Sequence, residues 1–297
     1  MKLINIGEIL WDVIGGEEHL GGALLNLSVH SLRLGHEVSL VSAVGADQRG
    51  DRVLEAMSAL GLSIDWIQRS DEWPTGIVTV TVADDGQPEF EIHRPAAYDS
   101  MTFDRAAFER LAALNPDWVC FGTLLSMFPR GRNVLFETMD ALPRARRFYD
   151  VNLRPKSFTS ELVLELLGRA TVVKLNQDEV RSLDVMFSGS TRTLEEFCRN
   201  RAAQFGWEAA CVTRGELGCA ILARDQYVEV PGYDVQVADT VGAGDAFSAA
   251  FLHGLDAGWS VGEIGDFANR LGALVASRPG GAATWSLDQM QALSRSG

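Results

Sequence analysis

The stretch DTVGAGDAF, at 239–247, holds the residue types best suited to chemistry. Gly242, Ala243 and Gly244 precede an apolar pattern with helical spacing, so they predict a turn at the N-terminus of a helix. Unpaired N–H groups and the positive end of the helix dipole attract negative charge at such a turn. The phosphate-binding patterns GxxxxGK[ST] and GxGxxG do not fit this stretch. The turn therefore predicts an anion site of another kind.

Asp245 follows this turn directly, although a carboxylate repels a phosphate bound beside it. One interpretation is structural, because an acidic residue in the first turn stabilises a helix. The other is catalytic. A base next to a phosphoryl-binding turn takes the proton of an attacking hydroxyl, while the turn stabilises charge on the transferred group. The motif alone leaves both open.

Two N-terminal segments carry polar side chains suited to a polyhydroxylated ligand. GEILWD (7–12) predicts a strand that ends at Asp12, and GGALLN (21–26) predicts a helix that opens with two glycines and contains Asn26. A carboxylate and an amide can each bond several hydroxyl groups. These segments therefore predict a sugar-like ligand.

The middle of the chain adds polar residues with regular spacing. In YDVNLRP, the residues Asp150, Asn152 and Arg154 alternate and share one side if the segment is extended. In KLNQDEV, Asn176 ends a predicted strand and Glu179 follows three residues later. That spacing suits Mg²⁺ held through water, and it equally suits a helix capping box. The two interpretations are compatible.

Strand and helix patterns alternate along most of the chain and must position these groups. The strand patterns are KLINIG, VSLVSAVG, WVCFGTL, RRFYDVNL, TVVKLN and AACVTR. This order predicts an α/β fold with a mostly parallel sheet and helices on both faces. Ligands bind at the carboxyl ends of such strands. There, TRGELG (213–218) places glycines where a nucleotide would lie against the backbone.

One segment, 75–95, departs from this rhythm. Two alternating runs joined by DDGQP (84–88) predict a β-hairpin. Such an insertion forms a lid, pairs with another subunit, or is only decorative. The simplest organisation is a single domain, 1–297, with a lid formed by about 11–20 and 75–97.

Composition excludes several classes of protein. The chain has 297 residues, of which 46% are apolar and 22% charged, and its net charge is −14. So acidic a chain argues against nucleic acid as a partner. We find neither a secretion signal nor a membrane span, so we expect a cytoplasmic protein. Four scattered cysteines predict buried free thiols, and five histidines form no ligand pattern; His30 is interpreted as a helix residue.

Taken together, the motifs resemble the ribokinase-like (PfkB) sugar kinase family. GEILWD, GGALLN, VGADQRG, DVNLRP, NQDE, TRGELG and DTVGAGDAF occur in that family's order and at about its separations, from Gly7 to Thr284. The resemblance implies a ribokinase-like central sheet with a small β lid, and phosphorylation of a sugar hydroxyl by ATP. It also implies Mg²⁺, potentially K⁺, and a homodimer paired through the lids.

The resemblance assigns roles residue by residue. Asp245 matches the general base, and Gly242, Ala243 and Gly244 match the anion hole. The sugar-binding positions are Asp12, Gly22, Asn26 and Asp245. The positions for Mg²⁺, phosphates and nucleotide are Asn176, Glu179, Thr213, Arg214, Gly215, Gly218, Gly244 and Asn269. The monovalent-cation positions are Asp239, Val241, Val275, Arg278, Gly280 and Thr284.

The sugar is less well defined. The motifs look most like those of bacterial fructokinases, so D-fructose is the leading substrate. A 2-keto-3-deoxygluconate kinase is the alternative, with Arg94 and Arg154 available for the carboxylate; another sugar or nucleoside kinase of the family also stays open. Ala23 stands where ribokinases typically carry Lys-Gly, which argues against ribose as the substrate. Only eight residues separate Asp12 from Gly21, which predicts truncated first lid strands.

Two other classes of protein are disfavoured. A non-catalytic sugar sensor would be expected to lose Asp245 or the glycines, and all are present. A dinucleotide-dependent oxidoreductase lacks its fingerprint.

Overall fold

The computed structural model describes residues 1–82, 88–187, 189 and 191–293. Its strands are β1 (Lys2–Ile6), β2 (Leu10–Ile14), β3 (Glu17–Gly21), β4 (Glu37–Gly45), β5 (Ile67–Ser70), β6 (Gly76–Val82), β7 (Pro88–His93), β8 (Trp118–Gly122), β9 (Arg146–Asp150), β10 (Val172–Asn176), β11 (Ala209–Thr213), β12 (Cys219–Ala223) and β13 (Gln226–Val230). Its α-helices are α1 (Ala23–Arg33), α2 (Gln48–Ala59), α3 (Arg105–Ala113), α4 (Pro129–Ala141), α5 (Ser160–Arg169), α6 (Gln177–Met186), α7 (Leu194–Phe205), α8 (Ala243–Asp256), α9 (Val261–Ala276) and α10 (Leu287–Gln291). Each of the six strand patterns of the sequence corresponds to one of these strands, with β4 beginning one residue before its pattern.

The large sheet has the strand order β13-β12-β11-β10-β9-β8-β1-β4-β5. From β11 to β5 every neighbouring pair is parallel, and β12 and β13 add an antiparallel edge. Parallel strands need crossover connections, which the intervening helices supply. The carboxyl ends of β8, β9, β10 and β11 consequently lie along the same edge.

Helices cover both faces of this sheet, as the α/β prediction requires. Trp118 and Cys120 of β8 pack into one apolar cluster with α1, α2, α8, α9 and α10, while Val119 and Phe121 pack into a second cluster with α3 to α7. Because side chains alternate along a strand, one buried strand supplies both cores. The mostly parallel α/β architecture is confirmed.

A smaller sheet has the order β3-β2-β6-β7, in which only β2 and β6 are parallel. The predicted hairpin corresponds to β6 and β7, but the turn residues 84–87 of DDGQP lie outside the described residues. The first lid strands, β2 and β3, form a hairpin of five residues each, and their truncation relative to ribokinases stays a prediction. The single-domain organisation, and the role of the small sheet as a lid, stay predictions.

Asp12 does not end a strand of the large sheet, contrary to the pattern of GEILWD. The chain leaves the large sheet after Ile6, crosses three residues, and enters the small sheet as β2, with Asp12 at its middle. There Asp12 pairs in register with His19 of β3 and Val78 of β6. The sequence did not reveal this passage between the sheets, because a strand break inside an apolar run does not change the alternation of apolar and polar residues.

Two further expectations can be compared with the structure. The four cysteines are buried free thiols, as predicted, and burial raises the pKa of Cys120, Cys198 and Cys211. Among the helices of the described residues, none combines the length and apolarity needed to cross a bilayer.

Candidate active site

A cavity of about 530 Å³ lies between the small sheet and the carboxyl ends of the parallel strands. Leu10, Ile14, Val78, Val80 and Ile92 form an apolar wall on the small sheet, interrupted only by Asp12 among the described lining residues of that sheet. The opposite wall is polar and comes from the ends of β10 and β11, the loop after β9, and the start of α8. The polar residues on that wall are Asn152, Arg154, Lys174, Asn176, Thr213, Asp239, Thr240 and Asp245.

The two glycines of GGALLN hold the chain close to the Asp12 side of the cavity. A Cβ on Gly21 would fall 2.2 Å from Asp12 Oδ2, and one on Gly22 would fall 2.4 Å from the carbonyl oxygen of Glu8. Gly22 also has φ 123°, a left-handed value that favours glycine. Gly21 thus leaves room for the Asp12 carboxylate, and Gly22 allows α1 to begin against the backbone at Glu8.

Asp12 and Arg154 are the charged pair on the sugar side predicted by the sequence. Burial raises the pKa of Asp12 to about 6, although Arg154 and His19 oppose the shift. Arg154 lines the cavity and has no side-chain hydrogen bond within the described chain. Asn152 has φ 39°, so 150–154 is not extended, and the predicted one-sided alternation is wrong. Asp150 turns inward instead, while Asn152 and Arg154 face the cavity.

The predicted anion turn is present at the start of α8. Gly242 is the N-cap residue of α8, with φ 74°, and a Cβ there would fall 2.3 Å from Cα of Gly281. No side chain caps this helix. The N–H of Ala243 donates to the carbonyl oxygen of Thr240 at 3.3 Å, whereas those of Gly244 and Asp245 have no partner among the described residues and stay available for a ligand. Gly242, Gly244 and Asp245 all line the cavity.

Asp245 stands in the first turn of α8, and Asn26 of α1 donates to it. The Asn26 Nδ2 to Asp245 Oδ2 distance is 2.8 Å, across 219 residues of sequence. Burial and the nearby charge of Asp150 raise the pKa of Asp245 to about 7, against the influence of Asn26, Lys174 and Arg154. A carboxylate with a pKa near neutrality is suited to general base chemistry.

Lys174 is a residue of this site that the sequence reasoning missed. Its Nζ lies 3.2 Å and 3.0 Å from the two carboxylate oxygens of Asp150, and 3.2 Å from the position of a Cβ on Gly244. Ser248 Oγ bonds both Asp150 Oδ2 and the carbonyl oxygen of Gly244. Burial alone would lower the pKa of Lys174, but the carboxylates of Asp150, Glu179 and Asp245 raise it overall. A lysine inside the apolar strand VVKLN was the available signal, since a buried lysine requires a partner.

Glu8 is a second residue that the sequence reasoning did not assign. It lines the cavity, and its Oε1 accepts from the N–H of Ala23 at 3.2 Å. Burial raises its pKa. Arg94, in contrast, is not among the lining residues, because Asp99 and the carbonyl oxygen of Leu124 hold its guanidinium elsewhere. The sequence could not show this ion pair, because no local pattern indicates whether a guanidinium binds a carboxylate of the protein or of a ligand.

Asn176 and Glu179 form a capping box at the start of α6. Asn176 Oδ1 accepts from Glu179 N at 2.9 Å, and Glu179 Oε2 accepts from Asn176 N at 2.7 Å. Glu179 Oε1 accepts from the N–H of Leu153 at 2.8 Å. Both carboxylate oxygens of Glu179 thus accept a backbone N–H, and Glu179 is buried and does not line the cavity, whereas Asn176 does. The arrangement favours contact with Mg²⁺ through water over direct ligation by Glu179. In the described chain, no cluster of three or more His, Cys, Asp or Glu residues could hold a metal.

The nucleotide positions predicted from the sequence divide into two groups. Thr213, at the end of β11, lines the cavity. Gly218 lies against the backbone at Val230, since a Cβ would fall 2.1 Å from its carbonyl oxygen, and Asn269 Nδ2 donates to that same oxygen at 3.1 Å. Arg214 donates to Glu229, and Gly215 has φ 59° in the turn that follows. This second group shapes the loop beside the cavity rather than its wall.

The six positions predicted for a monovalent cation come from two adjoining segments. Asp239 Oδ1 accepts from the N–H of Val241 at 2.9 Å, and Oδ2 accepts from Gly280 N at 3.1 Å. The Val275 carbonyl accepts from the N–H of Arg278 at 3.0 Å, and the Arg278 guanidinium donates to the carbonyl of Thr284. The structure thus brings these residues together, with a positive charge already beside Thr284.

Residues 7–288 match the pfkB family of carbohydrate kinases. The match covers far more than half of the sequence, and the chain belongs to this family. The resemblance predicted from the motifs is therefore confirmed.

Individual relatives agree with this assignment. A putative sugar kinase of Pyrococcus horikoshii is 27% identical over 303 residues, which cover 97% of this chain and 94% of that protein. A fructokinase of Escherichia coli is 30% identical over 276 residues, or 88% and 86% of the two chains. Among solved structures, the fructokinase of Xylella fastidiosa with bound ATP has a TM-score of 0.86 at 24% identity, covering 98% and 97% of the chains. At that identity the likeness establishes the ribokinase-like fold alone.

Proposed function

We propose that the protein transfers the γ-phosphoryl group of ATP to a hydroxyl of a sugar, with D-fructose as the leading substrate. The observation that carries this proposal is the placement of Asp245. Its carboxylate lies in the cavity wall beside the open N-terminus of α8, with a pKa raised to about 7. A base and an anion site so close together suit transfer of a phosphoryl group to an alcohol.

Asp245 and the anion turn have different roles in the proposed reaction. Asp245 accepts the proton of the sugar hydroxyl, whose oxygen then bonds the γ-phosphorus while the bond from that phosphorus to the bridging oxygen of ADP breaks. The N–H groups at Gly242, Ala243 and Gly244 stabilise charge on the transferred group. Asn26 orients the base through its 2.8 Å hydrogen bond. The products are the sugar phosphate, ADP and a proton.

ATP is the proposed phosphoryl donor. The solved sugar kinase of Pyrococcus horikoshii in complex with ATP has a TM-score of 0.82 at 27% identity, covering 97% of this chain. Thr213, Arg214, Gly215, Gly218 and Asn269 would form the nucleotide side of the site. Mg²⁺, when bound with ATP, would neutralise charge on the phosphates. Asn176, which lines the cavity, would face its water shell, and Glu179 would hold Asn176 in place through the capping box.

Fructose is favoured by the fructokinases among the relatives, including the Escherichia coli enzyme at 30% identity. The sugar side of the cavity offers Asp12 and Asn26 for hydroxyl groups. A ketose without a carboxylate also avoids repulsion from Asp12 and Glu8.

A second candidate, 2-keto-3-deoxygluconate, is supported by Arg154. This guanidinium lines the cavity without a side-chain hydrogen bond within the described residues, so it is available for the carboxylate of an acidic sugar. Arg94, the other basic residue considered, is engaged by Asp99. Of the two arginines considered for the carboxylate of 2-keto-3-deoxygluconate, only Arg154 is therefore available.

A coupled assay of ADP formation tests the proposal, with fructose, 2-keto-3-deoxygluconate, ribose and adenosine as acceptors. We expect sugar-dependent ADP release with the highest kcat/KM for fructose. A clear preference for another acceptor would overturn the choice of fructose. No acceptor-dependent release, from folded protein, would overturn the kinase.

We also propose that the protein is cytoplasmic, that it forms a homodimer, and that K⁺ supports its activity. Chloride salts of K⁺ and Na⁺ compared in the same assay test the cation. Sedimentation of the free protein tests the dimer.

A further inference from the structure

His30 is a buried titratable group that the proposed reaction does not use. It lies in α1, one turn after Asn26, with 0% of its surface exposed. Its Nδ1 accepts from Nε1 of Trp285 at 2.9 Å, and its Nε2 lies 2.9 Å from the carbonyl oxygen of Gly281. An indole nitrogen can only donate, so Nδ1 carries no proton and Nε2 must donate to Gly281. The hydrogen bonds therefore assign one neutral tautomer.

Gly281 links this histidine to the anion turn. A Cβ on Gly242 would fall 2.3 Å from Cα of Gly281, and a Cβ on Gly281 would fall 2.6 Å from Nδ2 of Asn26. Gly281 is thus held between the N-cap residue of α8 and the side chain that donates to Asp245. Movement of its peptide would displace both neighbours, because Gly281 contacts the backbone of Gly242 and the side chain of Asn26.

A matched contact on the same helix provides the comparison. Arg33 lies one turn beyond His30 and donates to the carbonyl oxygens of Ala282 and Ala283. Asn26, His30 and Arg33 therefore share one face of α1. Arg33 holds the same C-terminal segment, but not the peptide that touches Gly242.

We infer that His30 is a positioning residue, which fixes the Gly281 peptide against Gly242 and thereby sets the geometry of the anion turn and of Asp245. It never contacts substrate. This inference rests on the proposed function for its effect on turnover, but its effect on the turn itself does not depend on activity. Small displacements of catalytic groups have large effects on rate, up to about a hundredfold for 1 Å.

The test compares His30→Leu, His30→Gln and Arg33→Met in the full chain. Leucine removes the donor, whereas glutamine can keep an N–H near the position of Nε2. We expect His30→Leu to lower kcat by about tenfold to a hundredfold, with each KM nearly unchanged. His30→Gln should recover most of that loss, and Arg33→Met should leave kcat near the wild-type value.

Amide hydrogen exchange of the free protein gives a readout that does not require turnover. His30→Leu should raise exchange in the peptide that covers 242–245, while Arg33→Met should raise it only around 282–283. If wild-type protein shows no sugar-dependent turnover, the proposed function fails, and the exchange pattern still decides the role of His30.

Equal effects of His30→Leu and Arg33→Met on the 242–245 peptide would overturn the inference, as would unchanged kcat in folded His30→Leu protein. If His30→Leu does not fold, Trp285→Phe replaces it, because Trp285 is only half-buried and its loss removes one of the two hydrogen bonds that hold the His30 ring. Faster exchange at 242–245 in that variant supports the inference, and wild-type exchange there overturns it.

Discussion

The two sides of the cavity differ in how their polar groups are partnered. Beside α8, Asp245 has Asn26, and Lys174 has Asp150, which also accepts from Ser248. On the sugar side, Asp12 and Arg154 have no side-chain hydrogen bond to other described residues. On the proposed function, the phosphoryl side is preorganised before a ligand binds, whereas Asp12 and Arg154 gain hydrogen-bond partners only from the sugar. We therefore expect the first arrangement to determine the chemistry and the second to determine the choice of substrate.

The largest expected effect on kcat comes from replacing Asp245, the proposed general base on the phosphoryl side. Asp245→Asn preserves the shape and a polar contact with Asn26 but cannot accept the proton. We expect kcat to fall by about a thousandfold, within the range for loss of general base catalysis, while ATP still binds. Steady-state kinetics and calorimetric titration with ATP measure the two quantities. A kcat within about tenfold of wild type, only about 1.4 kcal/mol in the barrier, would contradict the role of Asp245.

The same variant has a control for folding that follows from its pKa. The folded pKa of Asp245 is about 7, above the value of 3.8 for an unperturbed aspartate. The folded state therefore holds a proton that the unfolded state has lost, and stability decreases as pH rises towards 7. Asparagine carries no such charge, so the gain in Tm of Asp245→Asn over wild type should be larger at pH 8 than at pH 5.

Lys174 gives the next largest effect on the phosphoryl side. Lys174→Met removes a buried ammonium beside the anion turn, and we expect kcat to fall by about a hundredfold. Because Asp150 would then be left unpaired, the double variant with Asp150→Asn separates loss of charge from loss of folding. Lys2→Met, at an exposed position, is the matched control and should behave as wild type. Retention of kcat in the folded double variant would show that Lys174 serves only the fold.

On the sugar side, Asp12→Asn should change binding more than chemistry. We expect KM for the sugar to rise by about tenfold to a hundredfold, with KM for ATP unchanged, because an amide carries no charge and accepts through one oxygen instead of two. Asp71→Asn, an exposed carboxylate outside the cavity, is the control. A rise in KM for ATP of the same size would mean that the two sides are not separable.

Arg154→Gln gives the smallest expected effect and sharpens the choice of sugar. With fructose, kcat/KM should fall by about tenfold, as for loss of one hydrogen bond from a charged donor. The test is the ratio of kcat/KM values for fructose and 2-keto-3-deoxygluconate, before and after the change. If the acid is the better substrate and loses far more than fructose does, its carboxylate binds Arg154 and the second candidate replaces the first.

The sequence predicted what depends on neighbouring residues. The anion turn and Asp245 are consecutive in sequence, and the glycines at 21 and 22 adjoin the helix that they begin. The alternation of strands and helices likewise predicted the large sheet. Local patterns suffice in each case because the turn, the cap and the periodicity are local properties.

Long-range pairings escaped prediction. The ion pair of Lys174 and Asp150 spans 24 residues, and the contact of His30 with Gly281 spans 251. Arg94 was assigned to the substrate because nothing in the sequence separates a free guanidinium from one bound to Asp99. The transfer of Asp12 from the large sheet to the small one also depends on packing rather than on pattern.

The pH dependence of kcat/KM tests the role of Asp245 most directly. Because kcat/KM reports groups of the free enzyme, it should fall tenfold per pH unit below about 7, where Asp245 gains its proton. Asp12, whose pKa is about 6, titrates nearby, so the profile is also measured in Asp12→Asn. We expect the limb near pH 7 to persist in that variant. A profile that is flat between pH 5 and pH 8 in both proteins would contradict it.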